Sequence, residues 1–411
     1  MKHIFFVLSF SSILATGCSS DENSENHQEN MLSENIRQLE NLSVYSLDQN
    51  PPLTVTLTQD QVFTETDEVF FGWAGNIAVD NEGRLFVQIG AEMGETGILV
   101  FNSDGSYKKT IGRHGGGPGE FEYIRDVTTS DEKLFVYENY EIHVFDLADL
   151  EFSHSIVIKM ESLKTDSELR KLNPGSQFFV LNDSSYFFSF TSSLSQKVKG
   201  AETFKYFAAV DKHGKIHPEI ILKQKEFKFY NTSVEDRLPD PLPFAMPFTR
   251  SSLVTVAANG TIFTNWNEDF LIKKFSSTGE YLSSFYYPIT NAQLKKEEAY
   301  DLASDKKRKE VLRKAELPLF WPAVNSIHID EDNRLWISTI TEHSDFFEWF
   351  ILNEDGKLLA RLKWPGERGE RKVWHPGDLI IKNNYLYKIR QKSMRDPSEI
   401  IRYKIRFTEK Y

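Results

Sequence analysis

The chain has 411 residues, 40% of them apolar, which is enough to bury a large core. Phe 32, Tyr 16 and Trp 7 make it rich in aromatic residues, a composition suited to packed β-sheets. A formal net charge of −12 disfavours binding to nucleic acid or to an anionic lipid face, and a single cysteine excludes an intramolecular disulfide and any cysteine-cluster metal site.

In chain order, Lys2 and His3 precede the apolar run Ile4–Ala15, which leads into Ala15-Thr16-Gly17-Cys18. The run is too short to span a bilayer, which takes ~20 residues, and it reads as an export signal. Small residues directly before the only cysteine resemble the lipobox of bacterial lipoproteins, with Ala15 where leucine is more usual. The resemblance implies cleavage after residue 17 and lipidation of Cys18, hence a membrane partner reached through a lipid anchor. Ser19 after the cysteine resembles lipoproteins sent to the outer membrane, so the expected location is the cell envelope. Residues 18–50 are polar and acidic at their start and predict a flexible tether.

Residues 51–411 carry a repeat. Its second strand pairs an apolar with an aromatic residue at Leu85-Phe86, Leu134-Phe135, Phe187-Phe188, Ile262-Phe263, Leu335-Trp336 and Leu386-Tyr387. Polar turns such as Asp80–Gly83 and Asp330–Asn333 come before most of these strands, as tight hairpins require. The aromatic positions are separated by 49, 53, 75, 73 and 51 residues. Four-stranded repeats at this spacing predict an all-β six-bladed propeller. The last unit runs out of chain after three strands, and Leu53–Leu57 is the expected donor of the fourth, pairing with Arg402–Phe407 and closing the ring.

Two insertions account for the long spacings. Asn291–Leu317 predicts a helix between blades four and five, capped by Asn291 and stopped by Pro318. Phe227–Arg250, with Pro239, Pro241, Pro243 and Pro247, cannot be a central strand and is expected to cap one end of the propeller.

Gly115–Phe121 (GGGPGEF) resembles the opening of an NHL-type repeat, and Pro318–Pro322 resembles a segment of TolB-like six-bladed propellers of exported bacterial lipoproteins. Two positions depart from the NHL pattern: Glu122-Tyr123-Ile124 stand where proline is usual, and Tyr137-Glu138-Asn139 where aspartate is usual. The resemblance implies the fold and the compartment, not a ligand. RNA binding, found in some NHL proteins, conflicts with export and with the acidic charge.

No catalytic residue is assigned by sequence. Gly112–Gly119 lacks the Lys-Ser/Thr and helix of a phosphate loop and reads as a connector whose glycines permit tight turns. The ten histidines form no zinc motif, and no local metal site or cofactor is readable. Candidate ligand contacts are the connector residues Trp73, His114, Phe320, Trp321, Trp374 and His375, which fall near one mouth of the channel. The first functional reading is a tethered binding or scaffold module for a glycan, peptide or envelope protein. The alternative is a metal-dependent hydrolase or lyase centred on the channel, as in six-bladed lactone hydrolases, with Asn76, Asp126, Asn265 and Asn325 as possible ligands.

Overall fold

The computed structural model describes residues 33–65, 69, 71–72, 74–90, 96–182, 184–192, 202–227, 229–231, 243–370, 379–390 and 398–410. Six antiparallel sheets form the blades of a ring. Blade one holds Ala74–Val79, Leu85–Ile89, Gly97–Phe101 and Tyr107–Ile111, numbered here from the inner strand outwards. Blade two holds Ile124–Thr129, Lys133–Glu138, Glu141–Asp146 and Phe152–Val157. Blade three runs Asn173–Asn182, Ser185–Thr191, Phe204–Asp211 and Leu222–Lys225. Blades four and five repeat the order from Ser252–Val256 to Tyr281–Tyr286 and from Val324–Ile329 to Leu358–Pro365.

Blade six is made from both ends of the repeat region. Its inner three strands are Leu379–Lys382, Tyr385–Arg390 and Glu399–Glu409, and its outermost strand is Leu53–Phe63. The register sets Val55 opposite Phe407 and Leu57 opposite Ile405, the pairing expected from sequence. The two strands are both longer than the sequence suggested, and the pairing reaches Phe63 opposite Ile400.

The apolar–aromatic pairs of the second strands are buried because blade faces pack on one another. Phe86, Phe188, Phe263 and Trp336 have no exposed surface. The hairpins ahead of the second strands of blades one and five are built from their own side chains. Asp80 accepts from the N–H groups of Glu82 and Arg84 and pairs with Arg84 Nε at 2.6 Å. Asp330 repeats this with Asp332 and Arg334, and also accepts from Trp336 Nε1 at 2.8 Å. Asn333 (φ 58°) fills in blade five the left-handed position that Gly83 (φ 78°) fills in blade one. The acidic turn at Asp330 is thereby structural, as its sequence indicated.

Three expectations need correction. Residues 33–50 are not a free tether. Glu34–Arg37 is helical, and Leu42–Val44 adds a parallel fifth strand to the outer edge of blade four, opposite Ser284–Tyr286. Tyr45 stacks on Tyr287 with ring centroids 5.3 Å apart and donates its hydroxyl to the Asp355 carbonyl, while Arg361 donates to the Leu47 carbonyl. The acidic start of the segment hid this short apolar stretch, Leu42–Leu47.

The helical insertion is also two helices, Lys296–Asp301 and Lys306–Lys314, not one. Asp305 breaks the run because its carboxylate caps the second helix, accepting from Arg308 N at 2.9 Å. Asn291 caps neither helix; it donates to the carbonyls of Glu268 and Trp321. The second helix ends at Lys314, short of Pro318.

The proline-rich insertion behaves as expected where it is described. Tyr230–Asn231 and Pro243–Phe244 form a two-stranded sheet, and Tyr230, Phe244, Met246 and Phe248 pack into one core with Leu312, Trp321 and Trp336.

Candidate functional site

The connector from blade one to blade two begins at Gly112 and ends at Ile124. Gly112 takes φ 70°, and a Cβ there would collide with the Phe121 ring, so only glycine allows the connector to fold back on itself. The fold-back is fixed by Phe121 N donating to Arg113 O at 2.8 Å and Gly115 N donating to Phe121 O at 3.2 Å. Glu120 ties the glycine run down: its carboxylate accepts from Arg113 Nε at 2.7 Å and from Gly117 N at 3.0 Å. These bonds, Arg113 first, hold its carboxyl below the usual range.

The folded connector stands over the end of blade two at which the second strand finishes, the third begins and the outer strand finishes. Between them lies an open cleft of about 610 Å³, lined by Gly115–Pro118, Glu120, Glu122, Glu138–Glu141, His143, Phe152, Ser155 and Val157. Its floor is Glu138, the last residue of the second strand, which is 8% exposed. Glu138 Oε1 accepts from the N–H groups of Glu122 and Tyr123 at 2.9 and 3.3 Å, clamping the connector's end onto the blade. Oε2 is buried without a hydrogen-bond donor; His143 Nε2 stands 3.8 Å away, beyond bonding distance.

His143 is packed edge-on against Phe121, and its Nδ1 lies 3.1 Å from the Ser155 hydroxyl. Burial pushes its pKa below the usual histidine value, outweighing the opposite pull of Glu141 and Glu138, so the ring is neutral at neutral pH. Tyr137, fully buried beneath, donates its hydroxyl to the Asn139 carbonyl at 2.7 Å and fixes the turn that carries Tyr140. Tyr140 and Val157 form an exposed apolar rim, 43% and 52% accessible. The cleft thus offers carboxylate acceptors beside aromatic and aliphatic surface, between walls that are internally bonded.

The sequence candidates do not assemble here. His114 is exposed on the glycine connector but is not part of the cleft lining. Phe320 is half-exposed on the connector into blade five, three blades away, where its carbonyl accepts from Arg250. Trp321 is corrected from ligand contact to core: it has no exposed surface, meets Phe248 edge-on at 6.1 Å and lies under the Arg368 guanidinium. Cys18, Trp73, Trp374 and His375 lie outside the described residues.

The possible channel ligands are engaged with the protein. Asn76 donates to Gln88 Oε1 and to the Arg125 carbonyl, and Asn325 donates to Ser338. Asn265 donates to the carbonyls of Asp269 and Leu271 in its own hairpin. Asp126 accepts from Val127 N at 2.9 Å, and burial pushes its carboxyl up to about 7. Among the described residues, no three His, Cys, Asp or Glu side chains converge as a metal-ligand group.

Sequence reasoning missed Glu120, Glu138, Tyr140 and Phe152 as a group. A signal was available, because Glu122-Tyr123 and Glu138-Asn139 are the two departures from the NHL pattern, and the structure bonds one to the other.

Residues 63–251, blades one to three and the proline-rich insertion, match the sequence profile of the DUF5128 family, described as a 6-bladed beta-propeller. No curated protein matches the chain in sequence. A DUF4221 family member from Bacteroides vulgatus superposes with a TM-score of 0.51 at 12% identity, covering 87% of this chain and 99% of that one. A candidate exported protein from Bacteroides fragilis gives 0.47 at 14% identity, over 90% and 100% of the two chains. Virginiamycin B lyase from Staphylococcus aureus gives 0.37 at 11% identity, over 85% and 99%. The first likeness is one of fold, and the other two add no argument about activity. The chain is a six-bladed β-propeller, similar over its first three blades to the DUF5128 family.

Proposed function

We propose that this protein is a lipid-tethered binding propeller that presents the blade-two cleft to a peptide, glycan or envelope-protein partner. The observation that carries the reading is the cleft itself: an open volume of about 610 Å³ whose walls are held by Glu120 and Glu138. Prearranged walls reduce the ordering cost of binding, which is what a recognition module needs. The tether rests on the sequence around Cys18, the sole cysteine, and Ser19 favours the outer membrane as its destination.

Gly116 allows a direct test. A Cβ at this position would meet only Glu122, at 3.8 Å, so a large side chain can be placed in the cleft without disturbing the blade. The full chain, purified in detergent, is presented to arrays of peptides and glycans. Saturable binding is expected, and Gly116→Trp is expected to abolish it at unchanged melting temperature. Binding that survives the tryptophan, or no saturable binding to any arrayed compound, would sink the reading.

A further inference from the structure

Among the described residues, every partly or fully buried arginine but one forms an ion pair with a carboxylate, and the exception is Arg125. Arg125 stands near the start of the inner strand of blade two, at a bulge. Ile124 lies opposite Glu138 and Asp126 opposite Tyr137, so Arg125 is the extra residue, and its side chain is re-aimed towards the Asn139–Tyr140 turn. Its Nε and Nη2 donate to Asn139 Oδ1 at 3.4 and 3.3 Å, which occupies one edge of the guanidinium. The end edge is free: Nη1 makes no hydrogen bond and lies open to solvent, as does the Asn139 amide nitrogen. Asp126 does not compensate the charge, because its carboxyl turns to Val127 N and to Phe178 N of blade three. Tyr123 lies alongside, its ring centroid 5.9 Å from the guanidinium carbon, and is 57% exposed. Asn139 and Tyr140 also belong to the cleft wall, so Arg125 stands at the cleft's lip.

A half-buried cation without a counter-ion, presenting two parallel N–H groups, is matched by a carboxylate, which accepts from both at once. We propose that the ligand of the cleft is an acidic glycan, with the carboxylate of a uronic acid held by the free edge of Arg125 and by Asn139; this rests on the cleft being the binding site. The acidic sugar would lie against the exposed rings of Tyr123 and Tyr140, and the next sugar would continue into the cleft over Phe152. The lining sets this direction. Glu122 and Glu141 repel an acid, so the charged group goes to Arg125 and the neutral hydroxyls face the cleft. A peptide fits less well, because its main chain finds few partners there. The N–H groups of Gly115, Gly117 and Phe121 and the carbonyl of Tyr140 are already bonded within the protein.

The test uses the full chain in detergent, titration calorimetry and four probes: trigalacturonate, its methyl ester, neutral galactotriose and a blocked Tyr-Glu-Tyr tripeptide. Trigalacturonate is expected to bind saturably, with an affinity that falls as salt is raised. Esterification, or Arg125→Gln, should weaken it about 10- to 100-fold, since each removes the charge-assisted pair. Arg125→Lys keeps the charge but not the paired donors and should recover only part of the loss. The ester needs no variant, so the assignment stays testable if Arg125→Gln lowers the melting temperature. Tyr123→Ala, at an exposed position, is the second variant, with a smaller loss expected. Equal binding of the ester or of galactotriose, no binding of trigalacturonate, or tighter binding of the tripeptide overturns the proposal. So does undiminished binding of trigalacturonate to Gly116→Trp, which would place the acid away from the cleft. If the proposal falls while Gly116→Trp still blocks another arrayed compound, the cleft stands and only the acid assignment fails.

Discussion

Asp126 and His328 sit on inner strands of blades two and five, and burial displaces their titrations in opposite senses. Asp126 is raised from the usual 3.8 to about 7, and His328 is lowered from 6.5 to about 4. Below its unfolded value Asp126 is protonated in both states, so it destabilises the fold only as pH rises from about 4 to about 7. His328 is neutral in both states above about 6.5 and destabilises the fold as pH falls from there towards 4. The limiting penalties are about 4 and about 3 kcal/mol, the former reduced by whatever water the channel admits. We expect the two to offset one another in the wild type. Asp126→Asn should make stability fall between pH 6.5 and 4, relative to the wild type, and His328→Gln should make it rise. Urea denaturation of both variants across that window checks the signs, and parallel curves for all three proteins would refute the assignment.

At the level of the hairpin, the two ends of one interaction type can be compared. Asp330 is buried, 6% exposed, and serves Arg334, Trp336 and two backbone N–H groups. Asp146 pairs with Lys133 where both side chains are about a third exposed. Asp330→Ala should cost about 2–4 kcal/mol, because it leaves the buried Trp336 indole N–H and two backbone N–H groups without their acceptor, while Arg334 keeps Asp332. Asp146→Ala should cost less than about 1 kcal/mol. Guanidinium midpoints of the two variants decide this; similar losses would mean that burial is not what separates them. The hairpin at Asp330 was legible in the sequence because turns rich in Asp, Asn and Gly come ahead of most of the aromatic strands, and all the chemistry is local. The cleft was not legible for the opposite reason. Glu120 and Glu138 come from different elements, and each looks like a solvated charge until the connector folds back at Gly112. Trp321 misled in the same way: a tryptophan on a connector reads as accessible, but the Tyr230–Phe248 insertion covers it, and no periodic pattern announces that contact.

For the whole molecule, closure depends on Leu53–Phe63. Blade six without this strand would expose the edge of Glu399–Glu409 and uncover the core around Val55 and Ile405. A chain beginning after Phe63 is expected to scatter light and to lose its cooperative calorimetric transition. A chain beginning at residue 51 should keep both the ring and the transition, with a modest loss from the missing Tyr45–Tyr287 stack. A cooperative, monodisperse protein lacking Leu53–Phe63 would show that the six-bladed ring does not depend on this clasp.

The strand Leu42–Val44 on blade four has a mechanical meaning as well. In the closing pair, Leu53 lies opposite Glu409, so the start of one strand lies beside the end of the other. Tension pulling residue 53 outward would open that pair like a zip, breaking one bond at a time, the weakest loading geometry an antiparallel pair has. Because Leu42–Val44 is bonded to blade four and Leu47 to Arg361 of blade five, a load arriving from residue 33 reaches those attachments first. Under the proposed lipid tether, the segment would act as strain relief, taking up a pull at the rim before it reaches the seam that keeps the ring closed.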